Sequence, residues 1–267
     1  MKIDNLSACN SLNVYKPKLK MTNFKSNFRS VFNDNFSLKY NTNTCFFRSD
    51  LKWAEFVDYL SKKYENTYKV NIIDYACATG EEPNSLAMML DLKLGDKANK
   101  FFPIQAFDVD ENNIINAKKG LFGLNKGELE LIKDNMGHDY KKYLDLYNDE
   151  LGNPALIISK ENLESKIIYN KSDIIKDIFK IPTGNTVLLC RNFLPYLNTE
   201  DRTNLIKNIA LHLQSSSLVV LGKFEISNGL EKLFEKEGFK HTSLYNVMER
   251  LPYHKALIQN LLRIFRH

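Results

Sequence analysis

The sequence predicts an α/β fold, a mostly parallel sheet with helices on both faces. Two observations predict it. From residue 70 onward, short apolar runs alternate with helical segments at βαβ spacing. One of those runs, TVLLC at 186–190, is apolar without alternation, as expected for a strand covered on both sides.

The elements follow in order. Residues 1–41 are rich in Asn, Ser and Lys, and no helix is read there with any force. Lys2, Lys16, Lys18, Lys20, Lys25, Arg29 and Lys39 face only Asp4 and Asp34, which makes this a short basic segment: a solvated arm or a contact surface for an acidic partner. Residues 42–267 are read as one domain. Leu51, Ala54, Val57 and Leu60 recur at near-helical spacing and predict a helix over 51–64. Val70–Tyr75 reads as a buried strand, followed by a turn and a helix from about Pro83 to Leu92. That helix is apolar on nearly all sides through Leu86, Ala87, Met88, Met89 and Leu90, as in a helix covered by other layers. A second strand, Pro103–Asp108, and a helix from Glu111 to about Lys119, ended by Gly120, complete the βαβα rhythm.

Between about 121 and 166 the rhythm breaks. Two helical stretches precede YLDLYNDELGNPALIIS, which predicts a hairpin around Asn148–Asn153 and thus a small inserted β-subdomain. The pattern resumes with strands at Ile167–Tyr169 and Asn185–Cys190. A helix capped by Asn198 or Thr199 then carries Leu205, Ile206, Ile209, Ala210 and Leu213 on one face. Ser217–Leu221 is another central strand and Gly229–Lys236 a helix. After Gly238 one or two closing strands and a short helix are expected.

Bulk properties exclude several classes. With 43% apolar and 26% charged residues the chain is globular. A net charge of +5 over 267 residues is too small to imply nucleic acid. Cys9, Cys45, Cys77 and Cys190 have no metal-ligand spacing, so no metal site is expected, and their scatter fits reduced thiols in a cytoplasm. No signal segment or bilayer-length apolar run is present, so a cytoplasmic protein without membrane insertion is expected.

The most informative stretch is DYACATGEEPNSLAMML, from Asp74 to Leu90. Small residues around Ala76 and Gly80 let a ligand approach the backbone at the end of the first strand. A dinucleotide site would have G-x-G-x-x-G and no acid; here Glu81 and Glu82 follow a single glycine and would repel a pyrophosphate. The pattern points to a ligand with a positive group and no phosphate. S-adenosylmethionine (SAM), with an ammonium and a sulfonium, is such a ligand. One glutamate can serve it while the other favours the helix N-terminus. Asp108, ending the second strand in FDVD, stands where a carboxylate accepts hydrogen bonds from ribose hydroxyls.

Several segments together are similar to the CheR-type chemotaxis receptor methyltransferases. ATGEEPNSLAMML resembles that family's STGEEPYSLAM, and NTCFFR its T-x-F-F-R. AFDVDENNIINAKKGLF, LLCRNFLPYLNTEDRTNLIKNIALHL and LGKFE resemble its second strand and helix, its CRN-to-Y segment and its LGHSE. They cover roughly 42–225 in the same order. The resemblance implies a Rossmann-like SAM-dependent methyltransferase fold, with the segment 121–166 in the place of the family's β-subdomain. It also implies a set of site residues. Thr44 and Arg48, with Thr42 beside them, would lie over the cofactor. Glu81 would meet the methionyl ammonium and Asp108 the ribose. Asp173 and Ile174 would flank the adenine, and Cys190 and Arg191 would lie at the fourth strand end. Tyr196 would face the methyl group and the incoming carboxylate beside Arg48 or Arg191.

The implied activity is methyl transfer to glutamate carboxylates of a protein substrate such as a chemoreceptor cytoplasmic domain, by a monomer. Transfer to another protein or small molecule, and a SAM-binding module without catalysis, stay open on the residues alone. The chain departs from the family at Asn84, where the family has Tyr, at Pro195, and in its short segment ahead of FFR.

Overall fold

The computed structural model describes residues 29–32, 38–42, 44–124, 126–177 and 181–252. Most of the basic N-terminal segment and the expected C-terminal helix fall outside these. In chain order, β1 (Arg29–Phe32) and β2 (Leu38–Thr42) form an antiparallel ribbon with Arg29 opposite Thr42. Then come α1 (Trp53–Lys63), β3 (Asn71–Tyr75), α2 (Glu81–Leu94), β4 (Ile104–Asp108) and α3 (Glu111–Lys118). The interrupted stretch holds β5 (Leu121–Gly123), α4 (Lys126–Met136), β6 (Leu144–Asn148), β7 (Pro154–Ser159) and α5 (Glu161–Glu164). The rest is β8 (Ile167–Lys171), α6 (Ile174–Asp177), β9 (Thr186–Cys190), α7 (Thr199–His212), β10 (Leu218–Leu221), α8 (Lys223–Ser227), α9 (Glu231–Lys236), β11 (Phe239–His241) and β12 (Val247–Arg250).

Seven strands form the main sheet in the order β11-β12-β10-β9-β3-β4-β8. The five from β10 to β8 are parallel; β12 runs antiparallel to β10, and β11 antiparallel to β12. Strand order reverses between β3 and β9, where Tyr75 pairs with Cys190. In an open α/β sheet that reversal opens a crevice beyond the carboxyl ends of the strands.

Alternation along the strands sorts the core into two layers. Ile72, Leu189 and Val220 pack on one face with Phe56, Leu60 and the α2 side chains Leu86 and Met89. Ile73, Leu188 and Val219 pack on the other with Leu205, Ile206 and Ile209 of α7 and Phe234 of α9. The five residues of β9 are all buried, which explains why TVLLC does not alternate. Asn198, not Thr199, caps α7: its Oδ1 accepts the Asp201 N–H at 2.8 Å.

The inserted stretch forms a three-stranded antiparallel sheet, β5-β7-β6. Its tight turn is held by Asp149, whose carboxylate accepts the N–H groups of Leu151 (2.9 Å) and Asn153 (2.8 Å). Phe122, Ile157 and Tyr143 join the same core as α2, and Tyr143 Oη donates to Asp91 Oδ2 at 2.7 Å. This small sheet is therefore packed onto the main one. Helix α8 is absent from the sequence reading, because its five residues are too short to show a period.

Among the described residues no helix is long and apolar enough to cross a membrane, and no cluster of His, Cys, Asp and Glu could hold a metal ion.

Candidate functional site

A cavity of about 540 Å³ opens at the carboxyl ends of β3, β4, β8 and β9, at the reversal of strand order. Its volume falls within the roughly 300–1,000 Å³ usual for small-ligand sites.

The turn after β3 forms one wall. Ala76, Ala78 and Gly80 all have left-handed φ values, 59°, 51° and 101°. Only Gly80 also lacks room for a side chain, since a Cβ there would stand 2.8 Å from Tyr169 Oη. Gly80 shapes the turn from behind, while Ala76 and Ala78 line the cavity. This winding brings the Ala78 N–H to Asp108 Oδ2 at 2.9 Å. The Oδ1 of Asp108 accepts from the Asp110 N–H (2.8 Å) and Asn113 Nδ2 (3.2 Å). Three donors thus fix a buried carboxylate that lines the cavity and keeps lone pairs for a ligand hydroxyl. Burial pushes its pKa up, and those hydrogen bonds oppose the shift.

The two glutamates diverge. Glu81, expected at the ligand, is fully buried behind the wall and does not line the cavity. The Thr79 hydroxyl donates to its carboxylate, at 2.7 Å from Oε2. Burial raises its pKa to about 7, against the pull of the Thr79 and Thr44 hydroxyls. Glu82 is the glutamate that lines the cavity. Consecutive helical positions point about 100° apart, so only one of the pair faces the ligand space.

Residues 44–50 form a strap across the same region. The Phe46 N–H donates to Glu128 Oε1 and the Phe47 N–H to Ser85 Oγ, both at 2.9 Å. Trp53 Nε1 donates to the Arg48 carbonyl at 3.1 Å. These anchors set Thr44 and Arg48 into the cavity wall. Thr42 lies in β2.

At the end of β9, Arg191 lines the cavity, yet its side chain is fully buried. Its Nη1 meets Glu82 Oε2 at 2.6 Å, its Nη2 bonds Asp50 Oδ1, and its guanidinium lies 5.2 Å from the Trp53 ring centre. Arg191, expected among the catalytic groups, also joins the strap, α2 and β9 through these contacts. Cys190 is buried, does not line the cavity and has its thiol pKa pushed well up by burial, which disfavours the thiolate. Asp173 and Ile174 line the wall after β8, and Tyr196 stands at the mouth, 60% exposed.

Asp50, Asn113 and Glu225 escaped the sequence reading. Asp50 and Asn113 belong to no periodic pattern, and Glu225 lies within LGKFE without a spacing that suggests a role. One sequence signal existed for Asp50: a carboxylate just after an arginine in a segment already tied to the site.

The cavity has an acidic lining from Glu82, Asp108 and Asp173, opposed by Arg48 and Arg191. Buried Asp74 adds another carboxyl beneath it, whose Oδ2 has no hydrogen-bond partner and whose pKa is raised well above the ordinary range by burial, with Glu82 adding to the rise. Such a lining suits a ligand with positive charge and hydroxyls, and disfavours a phosphate.

Residues 42–243 match the family model described as "CheR methyltransferase, SAM binding domain". Curated relatives agree. The chemotaxis protein methyltransferase of Borreliella burgdorferi is 25% identical over 204 residues, covering 73% of this chain and 68% of the relative. Those of Listeria monocytogenes (24% identical, 67% and 63% covered) and Escherichia coli (22% identical, 73% and 64% covered) match similarly. The matched part spans about two thirds of the length of these relatives.

Proposed function

Because the chain belongs to the CheR methyltransferase family and carries its SAM-binding domain, we propose that it transfers the methyl group of SAM to glutamate side chains of a chemoreceptor-like protein. The observation that carries this reading is the acid-lined cavity at the reversal of strand order, with Asp108 preorganised at the end of β4. The residues present fit the cofactor. Asp108 would offer lone pairs to the ribose hydroxyls, and Asp173 and Ile174 would lie beside the adenine. Glu82 provides negative charge for the ammonium and sulfonium, and a cationic ligand would draw Asp74 and Glu81 beneath it toward their ionised forms.

When bound, SAM would supply an electrophilic methyl group, passed in line from its sulfonium to a carboxylate oxygen of the acceptor as the S–CH3 bond breaks and S-adenosylhomocysteine leaves. The chain's own contribution is alignment and exclusion of water. A glutamate carboxylate, with a pKa of roughly 4.3, is already ionised near neutral pH, so no general base is needed. Arg48 suits the acceptor carboxylate through its planar fork, and the exposed Tyr196 hydroxyl at the mouth helps orient it. Holding both reactants in this geometry can supply several kcal/mol through effective molarity. Arg191 acts through Glu82 and the strap.

Calorimetry with S-adenosylhomocysteine (SAH) tests the site. The parent should bind. Asp108→Ala should weaken binding by roughly 10- to 150-fold, the worth of hydrogen bonds to a charged group at about 1.5–3 kcal/mol. No binding by the parent would sink the cofactor reading. For the chemistry, labelled SAM should yield a base-labile methyl group that is released as methanol; a base-stable label would replace the ester reading with N-methylation.

A further inference from the structure

β9 and β10 are parallel neighbours, with Cys190 opposite Leu221, so the segments leaving their carboxyl ends run side by side. The first, 191–197, carries five cavity-lining residues: Arg191, Asn192, Phe193, Tyr196 and Leu197. The second carries Glu225, a fully buried glutamate that does not itself line the cavity. Its carboxylate is the hub between them. Oε2 accepts the N–H of Asn192 at 2.7 Å and of Gly222 at 3.0 Å. Oε1 accepts the N–H of Phe193 at 2.9 Å and of Leu194 at 3.1 Å.

Three successive backbone donors of a cavity loop thus converge on one side chain. They need it, because the loop leaves the sheet through a left-handed residue, Asn192 at φ 62°, whose N–H groups turn to one side. The close approach also requires Gly222, where a Cβ would stand 2.5 Å from Asn192 Oδ1.

We propose that Glu225 is a positioning residue for methyl transfer, holding the 191–197 loop so that Tyr196 is set at the mouth of the cavity. This rests on the transfer reading above. Glu225 touches neither cofactor nor acceptor and acts through the three amides. Because Asp108, Asp173 and Glu82 stand on other elements, cofactor binding depends on it much less than transfer does.

Glu225→Gln keeps the shape of the side chain but turns an N–H₂ toward two of the four N–H donors; Glu225→Ala removes all the acceptors. Three readouts are taken on the full chain: amide hydrogen exchange, SAH calorimetry, and label transfer from SAM to protein in cell extract. Exchange at 192–194 should quicken by roughly tenfold or more, the loss of about one hydrogen bond to a charge, with 71–78 unchanged. Transfer should fall by roughly tenfold or more while SAH affinity stays within about threefold, the split of a group needed mainly for the transition state. Unchanged exchange at 192–194 in both variants overturns the proposal. So does SAH affinity that falls in step with transfer, or failure of both variants to fold, which would make Glu225 a stability residue. If the parent itself transfers no label, the transfer reading fails, and with it any role in transfer; quickened exchange with SAH binding retained would still establish the clasp on the loop.

Discussion

Arg191→Met removes a buried guanidinium and leaves its surroundings nearly the same in volume. Two carboxylates lose their cation: Glu82, whose side chain is 14% exposed, and Asp50, 9% exposed. Asp74, already without a partner at Oδ2, loses a cation that holds its pKa down. Breaking a buried ion pair by removing one partner costs about 3–5 kcal/mol, because the remaining charge stays desolvated. For a chain of this size each kcal/mol moves the melting temperature by about 2–4 °C, so a fall of at least about 6 °C is expected at pH 7.5. The sign with pH follows from the same cause. Burial already raises the pKa values of Glu82 and Asp74 against the pull of Arg191, and its loss raises both further, so the folded variant binds extra protons and gains stability as pH falls toward 5.5. Scanning calorimetry of parent and variant at both pH values measures this. Adding Asp50→Asn and Glu82→Gln should recover part of the loss, since a neutral set replaces an uncompensated one. A fall below about 2 °C at both pH values, within the range of ordinary surface changes, would refute the brace.

Two further predictions concern the ligand. Glu81, with a pKa of about 7 in the folded chain, is substantially protonated at pH 6, and Asp74 is shifted the same way. A cationic ligand favours the ionised forms, so SAM binding should release protons below pH 7 and tighten as pH rises from 5.5 to 7.5. Calorimetry in two buffers of different ionisation enthalpy counts those protons, and identical enthalpies at pH 6 would rule the linkage out. Arg48→Ala and Tyr196→Phe should each lower transfer by roughly tenfold or more with SAH affinity nearly kept, as expected for groups that meet the acceptor. Full activity in both variants would remove them from the mechanism.

Much of the architecture was legible because it is written in local periods. The continuous apolar run of β9, the all-round apolar α2 and the turn residues of the β6–β7 hairpin each report a neighbour's presence through residue type alone. Family motifs extended this to the site: Thr44, Arg48, Ala76, Asp108, Asp173, Ile174, Arg191 and Tyr196 all line one cavity. Roles within it were less legible. Glu81 and Glu82 are identical in chemistry and adjacent in sequence, and the rotation of α2 buries one and exposes the other to the ligand space. Nothing local in the sequence shows that Asp50 and Glu82 hold Arg191 from both sides.

Residues close along the chain suffice for the fold class, the chemistry of the cofactor loop and the acid at the end of β4. Which charges reach the cavity and which hold it together depends on contacts between distant segments. Asp50 and Arg191, or Glu225 and the amides of 192–194, are far apart in sequence and meet only when neighbouring parallel strands deliver their loops to the same edge of the sheet. A carboxylate's partner in a dry interior sets whether it binds a ligand or braces a loop, and that partner is a property of packing.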